Sequence, residues 1–352
     1  MSTRAKRRGF TIWELVVVVF VILLLIGLLL PALQSTNGAP RRNQCTNRMH
    51  QIGIALQNHH DSFKRFPALS TEAFPQTPGG PKTGFSWLTR ILPYMEETNL
   101  YQGISAATNK FTKIADGGVG PFDASVAIKS GRHFSTVQLD DTLICPQYTG
   151  SPISELTAST YAATPGINPK ANPPIGVAIS TYTAIAATDI ARMRGDAAEA
   201  NGVIAPGKGT MIKAIKDGTS RTLIGCETRE RAMNAWIDGS VNWVVGANPN
   251  SPPPVPDKDG HLAMPKGSTT ALGVGPGAPA KSTRYLTKSN SPVGMEWAWG
   301  PSSEHTGGVV MHVYADAAVR GQSPDIDPTV YIRLITPADN DPVVDPAVNS
   351  GG

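Results

Sequence analysis

From Leu15 to Leu33 the chain is almost unbroken hydrocarbon: sixteen of nineteen residues are Leu, Ile, Val or Phe. Such a run favours a bilayer by about 5–10 kcal/mol on the insertion scale. At ~1.5 Å per residue it reaches about 28 Å, close to a hydrocarbon core. The pattern then changes period. Cys45, Met49, Ile52, Leu56 and Phe63 recur at helical spacing and predict a second helix over 40–64, with one stripe packed on a folded domain. Pro40 suits a first helical position, so a break or kink is expected at 37–40. His59 and His60, adjacent on this helix, read as its solvated end, because neighbouring side chains point apart.

Further along, 86–96 predicts a short amphipathic helix that Pro93 bends or ends. Runs at 142–145, 180–187, 210–215, 221–227, 241–246, 308–315 and 330–335 predict short strands. Asp217-Gly218-Thr219-Ser220 is a turn between two of them. Residues 247–284, rich in Pro and Gly, read as an extended loop or linker.

Composition supports a core rather than a disordered tail. About 290 residues follow the helical region, and hydrophobic content is 40% despite 35 Gly and 30 Pro. The formal charge is +4, but Arg4, Lys6, Arg7 and Arg8 supply four of those charges. Without residues 1–9 the balance is 4 − 4 = 0. A nucleic-acid partner therefore loses its compositional support. The same basic flank predicts an N-terminus in the cytoplasm and an exterior location after about residue 35.

One ionisable group interrupts the apolar entry. Glu14 opens the hydrophobic run, where a carboxylate is costly unless paired. Arg8-Gly9-Phe10-Thr11-Ile12-Trp13-Glu14 resembles the prepilin-type cleavage and methylation signal of type IV pilins and type II secretion pseudopilins. That resemblance implies a prepilin peptidase/methyltransferase as partner, cutting after Gly9 and methylating Phe10. It also implies that Glu14 pairs with the terminal ammonium of a neighbouring pilin-like subunit. Pro31 lies where pilins often carry a helix-kinking proline.

Beyond the leader, Gln51 to Asp61, Phe66-Pro67, Trp87 to Tyr101, Cys145-Pro146, Asp217 to Leu223 and His305 to Val309 resemble blocks of the planctomycete domain-of-unknown-function family DUF1559. The family usually ends in a histidine, nine residues, then Asp-Gly. Here ten residues separate His305 from Asp316-Ala317, so the spacing differs and the glycine is missing. The resemblance implies an α+β, pilin-like fold, with a long N-terminal transmembrane helix followed by a loop-rich antiparallel β-sheet domain. It implies no activity.

Candidate chemistry is sparse. Glu304, His305, His312 and Asp316 form the densest titratable group, with His312 and Tyr314 expected on the outward face of a strand. No metal-binding spacing, nucleophile elbow, P-loop or dinucleotide fingerprint accompanies them. No metal or catalytic site is assigned. Asp339-Asn340-Asp341 with Asp345 could hold calcium, as a loop does in some pseudopilins, but the spacing lacks an EF-hand's glycine and terminal glutamate. An acidic tail is the preferred reading, and no cofactor is expected. Cys145 and Cys226 lie in strand-like segments and could form a disulfide; Cys45 belongs to the helix stripe and reads as a small hydrophobe. All three reduced is an equal alternative.

The expected organisation is a basic leader (1–9), a transmembrane helix (10–34), a helix extension (35–64), an exterior α+β domain (65–246), a Pro/Gly-rich loop (247–284), and C-terminal strands and tail (285–352). The expected function is non-enzymatic: a pseudopilin-like subunit in a type II secretion or pilus-like system, single-pass in the inner membrane with its domain in the periplasm. It would contact lipid bilayer and other pilin-like subunits. The alternative is a monomeric, membrane-anchored exterior binding module that uses the signal only for export.

Overall fold

The computed structural model describes residues 11–34, 38–71, 84–108, 111, 134–153, 176–189, 192–193, 200–207, 209–229, 234–239, 241–248, 251–274, 300–305 and 308–338. Helix α1 (Ile12–Gln34) and helix α2 (Gly38–Phe63) open the chain. Helices α3 (Trp87–Ile91), α4 (Thr98–Ala107) and α5 (Asp140–Leu143) follow. Nine strands come next: β1 (Tyr182–Ala187), β2 (Leu223–Glu227), β3 (Trp243–Val245), β4 (Val255–Pro256), β5 (Leu262–Ala263), β6 (Gly273–Val274), β7 (Ser302–Ser303), β8 (Val310–Tyr314) and β9 (Val319–Gln322). Helix α6 (Pro328–Arg333) closes the described chain.

Five strands make the central sheet in the order β3-β1-β2-β8-β9. β1–β2, β2–β8 and β8–β9 are antiparallel, but β3 runs parallel to β1 at one edge. The sheet is mixed, which corrects the expectation of an antiparallel one. A parallel neighbour requires a crossover rather than a tight hairpin. The chain supplies it by forming β2 between β1 and β3 in sequence.

The α2 stripe packs as its spacing predicts: Cys45, Met49, Ile52 and Leu56 are fully buried, whereas Phe63, at the helix end, is exposed. At Gly53 the helix nearly touches the β8–β9 hairpin, because a Cβ placed there would meet the Cα and Cβ of Ala317 and Cγ2 of Val313, each at 2.9 Å. Two side chains flank that approach: His50 Nδ1 lies 2.8 Å from the Ala317 carbonyl, and Gln57 donates to the Ala315 carbonyl. Ala317 itself adopts φ 69°, the left-handed conformation that favours glycine. The turn of the Asp-Gly motif is therefore present, built with alanine. Asp316 supports it by accepting from the Ala318 N–H at 2.9 Å.

Several expectations are revised. Among the described residues no helix is long and apolar enough to cross a membrane, which overturns the transmembrane assignment. The side chains of α1 are described only as far as Ile26. Residues 330–335 are not a strand: 330–333 complete α6 and 334–335 form the turn that leaves it. Asp327 caps that helix by accepting from the N–H groups of Thr329 and Val330, and Pro328 fits its first position. Within 210–215 the chain makes a 3-10 turn, Ile212–Ala214, and 142–145 is the end of α5 and its exit. His59 is not solvated: it is 4% exposed, with Nδ1 3.0 Å from the Arg65 carbonyl. Burial pushes its pKa down to about 4. The expected loop at 247–284 contains the β4–β5 hairpin and β6, and Asp257 within it pairs with Arg333 of α6 at 2.8 Å.

Candidate functional site

Five buried side chains from four separate chain segments meet in the interior: Cys45, Cys145, Gln147, Glu227 and His305. Cys45 comes from the inward stripe of α2. Cys145 follows α5, where the Cys145 N–H donates to Thr181 Oγ1 at 2.6 Å and Arg48 of α2 donates to the Ile144 carbonyl. This clamp brings Cys145 against α2, and the two cysteines form a disulfide with Cα atoms 5.0 Å apart. The expected Cys145–Cys226 pairing is corrected. Cys226 sits mid-sheet, in register with Thr183 and His312, and is a buried free thiol whose pKa burial pushes upward.

Glu227 ends β2 and turns inward, accepting from the Met311 N–H at 3.2 Å. His305 Nε2 lies 2.8 Å from one Glu227 carboxylate oxygen and 2.9 Å from the other. Two acceptors so close require a proton between them. Burial pushes the Glu227 pKa up, while the hydrogen bond from His305 opposes that rise. Gln147 Oε1 meets the other ring nitrogen, Nδ1, so the imidazole is held at both ends. The adjoining cavity, lined by Cys145, Tyr148, Thr181 and Ser302 among others, holds about 10 Å³, scarcely room for one water. The group is closed to solvent.

This arrangement separates the residues grouped by sequence. Glu304 turns away and accepts from the Thr149 N–H at 2.9 Å. His312 is fully buried rather than outward-facing, with Nε2 2.7 Å from the Tyr331 hydroxyl and Nδ1 2.8 Å from the Val310 carbonyl. Asp316 is exposed at the hairpin. Sequence reasoning thus found His305 but missed Glu227, Gln147 and the role of Cys45. The available signals were a lone carboxylate closing an apolar strand, and a cysteine on the inward stripe of a helix.

A model of the family described as a protein of unknown function, DUF1559, matches residues 34–329. The chain belongs to this family. The matched DUF1559 region includes every member of the buried group and begins where α1 ends. No curated protein and no solved structure matches the chain.

The N-terminal segment of this DUF1559 protein is built differently. Gly9 and Phe10 lie outside the described residues, as do Asp339, Asn340, Asp341 and Asp345 of the calcium reading. Pro31 falls inside α1. Glu14 Oε2 accepts from the Thr11 N–H at 2.9 Å and the Thr11 hydroxyl at 2.8 Å, and the Glu14 N–H donates to Thr11 Oγ1 at 3.3 Å. This is a capping box, with the N-cap and third helical residue satisfying each other. Beyond it, every described side chain of α1 is exposed, with Trp13 at 76% and Phe20 at 64%.

Proposed function

We propose that this DUF1559 protein is a non-enzymatic, pseudopilin-like subunit, processed after Gly9 and assembling through its N-terminal helix with other pilin-like subunits. The carrying observation is α1, an apolar helix exposed on all sides with one carboxylate at its entry. A helix that is hydrophobic all round must be buried against something. From Leu15 to Ile26, twelve apolar side chains stand about half exposed. Covering them would release on the order of 10 kcal/mol, at about 1 kcal/mol each. Neighbouring α1 helices and lipid are the proposed cover.

The disulfide supports an oxidising location for the folded domain, on the exterior face of the inner membrane. Both Thr11 bonds fall on Oε2 of Glu14, which leaves Oε1 to receive a neighbour's methylated Phe10 ammonium. A prepilin peptidase/methyltransferase is the implied processing partner. Neither cofactor nor catalytic group is assigned.

Glu14→Gln tests the reading, because Gln also completes a capping box. The expected result is a chain that begins at methylated Phe10 by mass spectrometry but no longer cross-links to its neighbours. If the variant assembles as the wild type does, Glu14 is only a cap. The alternative, a monomeric anchored binding module, draws support from an open cleft of about 390 Å³ lined by His59, Phe63, Arg65, Phe66 and Arg90. It predicts no cross-linked species from either chain.

A further inference from the structure

We infer that the buried group is a redox-gated metal site: when the Cys45–Cys145 disulfide is reduced, Cys45, Cys145, Glu227 and His305 bind one zinc ion. One ligand atom from each of the four lies within 4.8 Å of the others, and all four residues are buried. Two thiolates, an imidazole and a carboxylate form a tetrahedral donor set suited to Zn²⁺, with bonds of about 2.0–2.3 Å. A ligand pair in such a site is separated by roughly 3.3–3.8 Å, so the group needs little rearrangement beyond parting the sulfurs.

The surroundings are already those of a ligand shell. Gln147 faces Nδ1 of His305, and therefore directs Nε2 to the centre. The Met311 N–H holds Oε2 of Glu227, and both carboxylate oxygens lie within 2.9 Å of His305 Nε2. Arg48, one helical turn beyond Cys45, donates to the carbonyl preceding Cys145 and places a cation near the thiolate side.

The two states exclude each other. A dithiol reductant delivers two electrons and two protons to the Cys45–Cys145 bond, which becomes two thiols, while the reductant becomes a disulfide. Zinc then displaces both thiol protons and the proton between His305 and Glu227. Reoxidation by a disulfide oxidant re-forms the Cys45–Cys145 bond, removes two ligands and releases the ion. The oxidised exterior protein is therefore locked by a covalent bond, and the reduced chain by a metal at the same place.

The test uses the full chain in detergent, reduced by a phosphine that is then removed, with zinc alone as probe and a chromogenic chelator as competitor. The expected result is about one zinc per reduced chain and none on the oxidised chain, with zinc shielding Cys45 and Cys145 from alkylation. Cys226→Ser should bind zinc unchanged, whereas His305→Ala and Glu227→Gln should each weaken binding at least ~10-fold. Substituted cobalt should show the thiolate charge-transfer band and the intense visible bands of a tetrahedral ion. Equal zinc uptake by oxidised and reduced chains would overturn the proposal, as would a folded reduced chain that takes up none, or His305→Ala binding like the wild type. If reduction unfolds the chain, recovery of its near-ultraviolet dichroism on zinc addition supports the site, and failure to recover refutes it.

Discussion

Replacing Gly53 with alanine probes the contact that seats α2 on the hairpin. The added methyl would meet three atoms at 2.9 Å, one of them the backbone Cα of Ala317. Carbon contacts are optimal near ~3.5–4.0 Å, so the helix or the hairpin must shift by several tenths of an ångström. Overpacking of this kind costs about 1–3 kcal/mol. A mid-helix Gly→Ala change returns about 1 kcal/mol of propensity, leaving a net loss of roughly 1 kcal/mol. Ala317→Gly by itself should be close to neutral. It relieves a left-handed alanine worth about 1–2 kcal/mol, but forfeits about 0.8 kcal/mol of methyl burial and about 0.5–1 kcal/mol of backbone entropy. Combined with Gly53→Ala, it removes one of the colliding methyls. The double variant should therefore recover about 1 kcal/mol relative to additivity. Guanidinium unfolding, followed by the fluorescence of the buried Trp87, Trp236 and Trp243, measures the four corners of the cycle. Additivity within about 0.5 kcal/mol, or a Gly53→Ala protein more stable than the parent, would refute the close-approach argument.

Other outcomes are equally specific. The Cys45–Cys145 bond closes a loop across a sequence separation of 100, so Cys45→Ala/Cys145→Ala should lose up to about 4–5 kcal/mol of stability by the chain-entropy estimate. An unchanged denaturation midpoint would contradict it. Under non-reducing denaturation, alkylation should label Cys226 alone; label on Cys45 would show the bond to be absent. His59 is held near pKa 4 against an ordinary 6.5, so below pH 6.5 the unfolded chain takes up a proton that the folded chain refuses. Its contribution should fall by roughly 2–3 kcal/mol between pH 6.5 and 4 and stay constant above that window. His59→Gln should remove this part of the acid sensitivity, and matching pH profiles for the two proteins would show the histidine to be titrating freely.

The legible parts were those governed by local periodicity. The α2 stripe and the strand segments at 180–187, 221–227, 241–246 and 308–315 could be read because apolar spacing alone decides them. The strand expectation at 330–335 failed through overlooked chemistry: Asp327-Pro328 is a helix start, and its cap outweighed a β-branched run. The parallel edge strand and the cysteine pairing were beyond local reading. The first depends on a crossover from β1 through β2 to β3, and in the second Cys145 meets Cys45 where Arg48 and Thr181 fix the backbone around it. The buried group was half visible. His305 stood out by its charge type, but its true partners lie 78 and 158 residues away in sequence. The capping role of Glu14 was legible in its Thr-x-x-Glu spacing at the head of the apolar run.

The seat of α2 also sets a timetable for the newborn chain. The helix leaves the ribosome early, but its hairpin partners lie 258 and 267 residues downstream. At roughly 5–20 residues per second, α2 waits about 13–50 s for the hairpin that seats it. During that interval α2 has only its nearer partners, α3 and the Leu92–Tyr94 turn, and later Cys145 and Tyr182, to cover it. Completion of the core therefore depends on long-range closure by β8 and β9, late in synthesis. A truncation that removes β8 and β9 therefore does more than shorten the sheet: it leaves α2 without its seat.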